Sequence, residues 1–204
     1  QGAGDSTRDG PGKGLGVSDV TGGDRRDSDD SGKATGLRGH MAPALSMRLQ
    51  KPWGYVEPRT RLYHTQYQLD NVDANAEDNP DMTTWGASLD SGLFFERPGN
   101  WFGSTYTQTL EPRLFLNKVA YEDQSELPNF DSGELTFSYN SLFRENRFIG
   151  YDRIGDEEKL AVGLTSRFLH DGTGREQLRL RVAQGFYFEA AAYTHPRAHD
   201  TPAH

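Results

Sequence analysis

The 204-residue sequence contains no cysteine, so within this stretch it has neither disulfides nor thiolate metal sites. It also has no run approaching the roughly 20 apolar residues that a membrane-spanning helix needs, and its mean hydropathy is -0.80. For a helical membrane protein that value would be decisive. A barrel escapes the test, because only alternate residues of each strand meet lipid. Basic residues are scarce as well: 22 Lys and Arg against 30 Asp and Glu leave a net charge of -8, which argues against nucleic acid as a partner. No apolar h-region follows Gln1, so no secretory signal is visible. For an exported chain that points to a true N-terminus further upstream. Residues 1–40 lack aromatics and hold eleven glycines and seven aspartates. Such a segment buries too little apolar surface to offset its ordering entropy and is expected to be disordered, as is the tail 189–204. Gly10-Pro-Gly-Lys-Gly14 lacks the Lys-Ser/Thr ending of a phosphate-binding loop.

What the chain does have is alternation. From Trp85 to Phe95, one face carries Trp85, Ala87, Leu89, Ser91, Leu93 and Phe95. The other carries Gly86, Ser88, Asp90 and Gly92, with Phe94 the large exception. A side-chain period of two gives a strand one apolar and one polar wall. Seven strands are predicted, near 42–49, 54–69, 83–97, 103–118, 132–143, 158–170 and 175–188. The last sets Leu178, Leu180, Val182, Phe186 and Phe188 against Gln177, Arg179, Arg181 and Gly185. In the fourth, Pro112 marks a bulge. The fold class is therefore all-β: antiparallel strands forming part of a transmembrane outer-membrane barrel. A soluble β-sandwich and a small porin-like barrel are the alternatives. With seven strands in series, connections 50–53, 98–102 and 144–157 share one side and 70–82, 119–131 and 171–174 the other. Both groups mix short and long members, so loop length leaves orientation open.

Several motifs then carry a resemblance. They are Tyr106-Thr-Gln-Thr-Leu-Glu-Pro-Arg113, Asp123-Gln-Ser-Glu-Leu-Pro128, Phe130-Asp-Ser-Gly-Glu-Leu135, the long Leu142–Asp156 tract, Leu164-Thr-Ser-Arg167 and Val182-Ala-Gln-Gly-Phe-Tyr-Phe188. With Pro52-Trp-Gly-Tyr55 and His64-Thr-Gln-Tyr67 upstream, this series resembles the barrel of the LptD family of lipopolysaccharide-assembly outer-membrane proteins. The resemblance covers about residues 42–188; residues 1–40 and the tail match nothing in the pattern. It implies a Gram-negative outer-membrane barrel that inserts lipopolysaccharide into the outer leaflet. It also implies a plug lipoprotein (LptE-like), periplasmic lipid-bridge proteins and membrane lipids as partners, with no cofactor. The periplasmic domain, the family cysteines and the end strands of the barrel are missing, so the chain reads as a barrel fragment.

Two residue groups are candidate sites. Trp85, Leu89, Leu93, Phe95, Leu178, Leu180, Phe186 and Phe188 would face lipid. The loop Arg144–Asp156 packs Arg144, Arg147, Asp152, Arg153 and Asp156 beside Phe148, Ile149 and Tyr151. That many apolar residues suggest a loop folded into the lumen, where Asp152 and Arg153 would bind strand charges such as Glu111 and Arg113. A solvated loop with weak ion pairs is the bland alternative. The acidic stretch Asp70–Asp81 breaks EF-hand spacing, since Asp78 stands where the turn glycine belongs. His195 and His199 lack a second ligand pair, so no metal is expected. No Gly-x-Ser-x-Gly elbow is present, and no enzymatic activity is expected.

Overall fold

The computed structural model describes residues 20–26 (backbone only), 35–70, 77–101 and 103–188. The strands are β1 (Val20–Arg26), β2 (Thr35–Met41), β3 (Ala44–Ser46), β4 (Leu49–Lys51), β5 (Gly54–Asp70), β6 (Asp81–Leu93), β7 (Phe95–Trp101), β8 (Ser104–Val119), β9 (Gly133–Glu134), β10 (Phe148–Ile149), β11 (Glu157–His170) and β12 (Glu176–Phe188). Ten of them form one antiparallel sheet in the order β1-β2-β5-β6-β8-β11-β12, while β9 and β10 form a separate ribbon.

Registers reduce the ten to seven crossings. β2, β3 and β4 pair with β5 in one unbroken register, from Thr35 opposite Asp70 to Lys51 opposite Gly54. They are one strand with two interruptions. β6 and β7 likewise run along β8 in a single register, from Gly86 opposite Val119 to Trp101 opposite Ser104. Prolines account for these gaps. Pro43 lies in the first, and Pro58 of β5 stands opposite the second, where the Met47 N–H reaches the Pro58 carbonyl at 3.1 Å. Pro112 of β8 faces the gap between β6 and β7. Each proline removes a ladder donor at the place where pairing lapses. Pro112 is thus a correction: it keeps register on both sides, so it marks a gap and no bulge.

Two further expectations change. Strand β1 and all but the last residue of β2 fall inside the stretch 1–40 that composition marks as disordered. They are held by antiparallel pairing, β1 with β2 and β2 with β5, which composition does not register. The remainder of that stretch and the tail 189–204 lie outside the described residues. The fifth predicted strand, 132–143, does not cross the sheet. It is the two-residue β9, an irregular segment and a 3-10 turn at Ser141–Phe143. The bare apolar face meets no second sheet among the described residues.

Removing one crossing inverts the parity of everything after it. Turns 52–53, 102–103 and 171–175 now share one end of the sheet. Connections 27–34, 71–80 and 120–156 share the other. The short connections are all at one end and the long ones all at the other.

Candidate functional site: the strap across the covered face

Residues 120–156 lie as a strap on one face of the sheet. Odd-numbered residues of β5, β8 and β11 and even-numbered residues of β6 point beneath it. Tyr63, Tyr67, Met82 and Val119 of the strands bury with Leu127 and Ile154 of the strap, and Phe115 and Ala161 bury with Leu142 and Phe143. The covered face of β5 mixes charged and aromatic side chains. Its Arg59, Arg61, Tyr63 and Tyr67 share the covered face, and the strap supplies partners for both the charged and the aromatic ones.

Asp152 is the principal anchor, with no exposed surface. Its Oδ1 accepts from Arg38 Nη1 at 2.7 Å and Tyr67 Oη at 2.9 Å. Its Oδ2 accepts the backbone N–H groups of Phe130 and Asp131, both at 2.8 Å. Arg38 also donates to both carboxylate oxygens of Asp131, at 2.8 and 3.1 Å, and is itself buried. A buried charge is tolerated only when paired and hydrogen-bonded, and here every oxygen of Asp152 is occupied. Ser132 Oγ closes the knot by accepting the N–H groups of Asp152 and Arg153 at 2.8 and 3.1 Å. Gly150 lets the chain turn into it. Its φ is +77°, and an added Cβ would stand 2.6 Å from Asp131 Oδ1. In the same knot the Arg38 guanidinium holds the Asp131 carboxyl down at about 2, although burial pushes the other way.

A second anchor lies nearer the middle of the sheet. Glu145 accepts from Arg61 Nε at 2.9 Å and Ser88 Oγ at 3.0 Å. Lys159 Nζ, also buried, reaches the Arg144 carbonyl at 2.9 Å and Glu157 Oε1 at 2.6 Å. The third anchor is shape. A Cβ on Gly163 would stand 2.6 Å from Phe143 Cζ, and one on Gly185 would stand 2.9 Å from Leu142 Cδ2. Those two glycines leave the seat into which the 3-10 turn fits. The strap thus touches β2, β5, β6, β8, β11 and β12.

The strand charges expected to bind the loop go elsewhere. Glu111 pairs with Arg167 at 2.7 Å, and Arg113 pairs with Asp90 at 2.6 and 2.9 Å. Arg113 does lie over the Phe143 ring, 4.3 Å from its centroid. Asp152 takes Arg38, which the sequence reading had set aside within the stretch 1–40. Arg153 donates to the Leu127 and Pro128 carbonyls at 2.7 and 3.2 Å. Arg147 and Asp156 stand 3.8 Å apart near the surface. Arg144 is exposed, and its side chain has no ion pair among the described residues.

The opposite face is bare. Among the residues expected there, exposure runs from 40% for Leu93 to 55% for Leu180, with Trp85, Phe95, Leu178, Phe186 and Phe188 between and Leu89 half-buried. Toward the long-connection end this face turns polar, with His64, Gln66 and Gln68 on β5 and Lys118 and Glu158 on the neighbouring strands. No metal-binding group of His or acidic residues occurs among the described residues. His195 and His199 lie outside them, as do residues 71–76 of the acidic stretch 70–81.

One bare apolar face and one strap-covered polar face define a segment of an antiparallel wall, built to meet two different environments. The family model described as LptD, LPS transport system D, matches residues 5–201. The chain belongs to the LptD family. It is 84% identical to the LPS-assembly protein LptD of Alcanivorax borkumensis over 199 residues, which cover 98% of this chain and 26% of that protein. Proteins of the same name from Chromohalobacter salexigens and Ectopseudomonas mendocina are each 46% identical, over 76% and 77% of this chain and 19% and 18% of theirs. The chain spans about a quarter or less of the length of these relatives. The match takes in most of residues 1–40 and the tail, beyond the 42–188 over which the sequence motifs carried the resemblance.

Proposed function

We propose that this chain is a wall segment of an outer-membrane barrel that assembles lipopolysaccharide at the cell surface of a Gram-negative bacterium. The observation that carries the reading is the pairing of faces: a seven-crossing antiparallel wall with an apolar outer face and an inner face filled by its own strap. In lipid every backbone polar group needs an internal partner, so a spanning sheet must close. The edges β1 and β12 are therefore where the remaining strands of the parent attach.

Orientation follows from the same logic. Outer-membrane barrels have short periplasmic turns and long external loops. The turns 52–53, 102–103 and 171–175 are periplasmic on this reading, and the strap enters the lumen from outside. The polar bare-face residues beyond Leu62 and Trp85 then stand above the bilayer. The segment's role is non-enzymatic. The plug lipoprotein (LptE-like) and the periplasmic lipid-bridge proteins belong to the whole assembly. Depletion of the full-length parent should abolish surface display of lipopolysaccharide; unchanged display would refute the assembly role. The small porin-like barrel has less support, since the chain covers only 26% of its relative.

A further inference from the structure

Two Asp-Gly pairs occur in the sequence, Asp9-Gly10 and Asp171-Gly172. The second lies in the turn between β11 and β12 and is exposed. Most amides of this turn are held. Asp171 donates to the Thr105 carbonyl at 3.1 Å, and Thr173 and Gly174 both donate to the His170 carbonyl, at 3.2 and 2.7 Å. The Gly172 N–H has no protein partner among the described residues. The Asp171 side chain is held as well, since Thr107 Oγ1 donates to its Oδ1 at 2.8 Å. Beside the glycine stands His170, whose ring packs edge-on against Tyr106 with centroids 5.4 Å apart. A Cβ on Gly172 would lie 3.1 Å from His170 Cε1 and 3.5 Å from Nδ1. That Nδ1 is buried and makes no hydrogen bond among the described residues, and a buried polar atom without a partner calls for an explanation. Both neighbours of β11 in the sheet, β8 and β12, are in place, so no missing strand accounts for it.

We infer that Asp171-Gly172 is a self-modifying site, where the Gly172 nitrogen closes on the Asp171 carboxyl and the resulting succinimide reopens as iso-aspartate, with His170 as the base. The nitrogen attacks Cγ of the protonated carboxyl. His170 Nδ1, its ring proton on Nε2, takes the amide proton and returns it to the departing hydroxyl. One C–N bond forms, one C–O bond breaks, and one water leaves. Water then opens the ring. Attack at Cγ restores aspartate, while attack at the main-chain carbonyl leaves the chain running through Cβ and Cγ. The Thr107 hydrogen bond draws charge from Oδ1 and makes Cγ the better electrophile. Gly172 has no side chain to shield its nitrogen and bends freely. Iso-aspartate adds a carbon to the main chain inside a turn pinned on both sides, by the Leu169–Glu176 pair and the Asp171–Thr105 bond. The modification therefore loosens the end of the β11–β12 hairpin.

The test incubates the full-length parent, folded in detergent, in water enriched in heavy oxygen. Each ring opening writes one heavy oxygen into the site, whichever product forms. Trypsin digestion in ordinary water then releases residues 168–175, a peptide whose one acidic side chain is Asp171, and mass measurement counts the label. The folded parent should take up label faster than the free peptide of the same sequence, and part of the product should be iso-aspartate. A base built for its task contributes about 10²–10⁴-fold, so at this exposed turn His170→Ala should slow uptake about tenfold. Added imidazole should restore the rate to that variant, whereas pyrrole, a ring of the same shape without a basic nitrogen, should not. Hydrogen-exchange protection of the β8–β11 ladder certifies that the variant is folded. Uptake no faster than in the free peptide overturns the proposal. So does an unchanged rate in His170→Ala, or equal rescue by pyrrole, which would make the imidazole a packing group.

Discussion

The two faces of this sheet are made from the same strands yet obey different rules. The bare face is local: Trp85, Leu89, Leu93 and Phe95 follow from a period of two along one strand, and nothing folds over them. The covered face is non-local. Asp152 meets Arg38 and Tyr67 across separations of 114 and 85 residues, and only the assembled sheet brings them together. Faces of the first kind tolerate changes that keep their polarity. Faces of the second kind fail at single atoms.

The largest expected effect breaks the covered face alone. Asp152→Ala removes the acceptor of four hydrogen bonds and leaves the buried Arg38 with only Asp131. Breaking a buried pair on one side costs about 3–5 kcal/mol. Hydrogen exchange in the full-length parent should show strap amides 130–132 and 151–155 losing protection while the β8–β11 ladder keeps its own. Unchanged strap protection would remove Asp152 as the anchor.

Next comes the bare face. Leu164→Arg places a charge among Leu114, Val162 and Leu110 on the outer wall. At a bilayer midplane it should cost about 2–4 kcal/mol, falling toward zero near the interface. In water the same change at a side chain 39% exposed would be nearly neutral. Folding titrations in lipid vesicles therefore ask which solvent the bare face meets. A neutral result would favour water.

Legibility follows the same division. Alternation gave β5, β6, β8, β11 and β12 within a few residues, because a strand's own pattern suffices to place it. It failed at 132–143, where Leu135, Phe137 and Tyr139 alternate for other reasons. The Leu135 N–H bonds to the Arg147 carbonyl, Phe137 is 75% exposed, and Tyr139 packs on Phe143. Three alternations are too few to tell a strand from a strap, and that one misreading hid the sorting of short and long connections. Phe148, Ile149 and Tyr151 suggested that Arg144–Asp156 folds in, but the residues this segment buries most deeply are Asp152 and Ile154, and Ile149 stays 49% exposed. Its partners were not legible, since Arg38 stood in a glycine-rich stretch whose composition argued against any fold.

A smaller effect tests the seat. Gly163→Ala presses a methyl group against Phe143 Cζ and Tyr139 Oη, at 2.6 and 2.9 Å. Overpacking of this kind costs about 1–3 kcal/mol, so the 3-10 turn should lift while the Asp152 anchor holds. Gly99→Ala serves as the control, because its nearest neighbour stands at 4.0 Å. Exchange confined to residues 139–145 in the first variant, and absent in the second, is the expected pattern. Equal behaviour of the two would remove the glycine seat.

The smallest effect is electrostatic and concerns Asp131 alone. Arg38 holds its carboxyl at about 2, well below the ordinary aspartate value. A depressed carboxylate adds stability that is fully present above its unfolded value and is lost as pH falls through its folded value. The Asp131 contribution is therefore constant from pH 9 to pH 5 and fades between about pH 4 and pH 2. Because the side chain is 24% exposed and faces both Arg38 and Asp152, solvent screens part of the gain. Strap protection in the parent should weaken across that acid window and nowhere above it. Asp131→Asn should start from lower protection at neutral pH and show a shallower acid limb. An acid limb of full steepness in the Asn variant would assign the titration to another group, and would leave Asp152 to hold the strap without help from its neighbour.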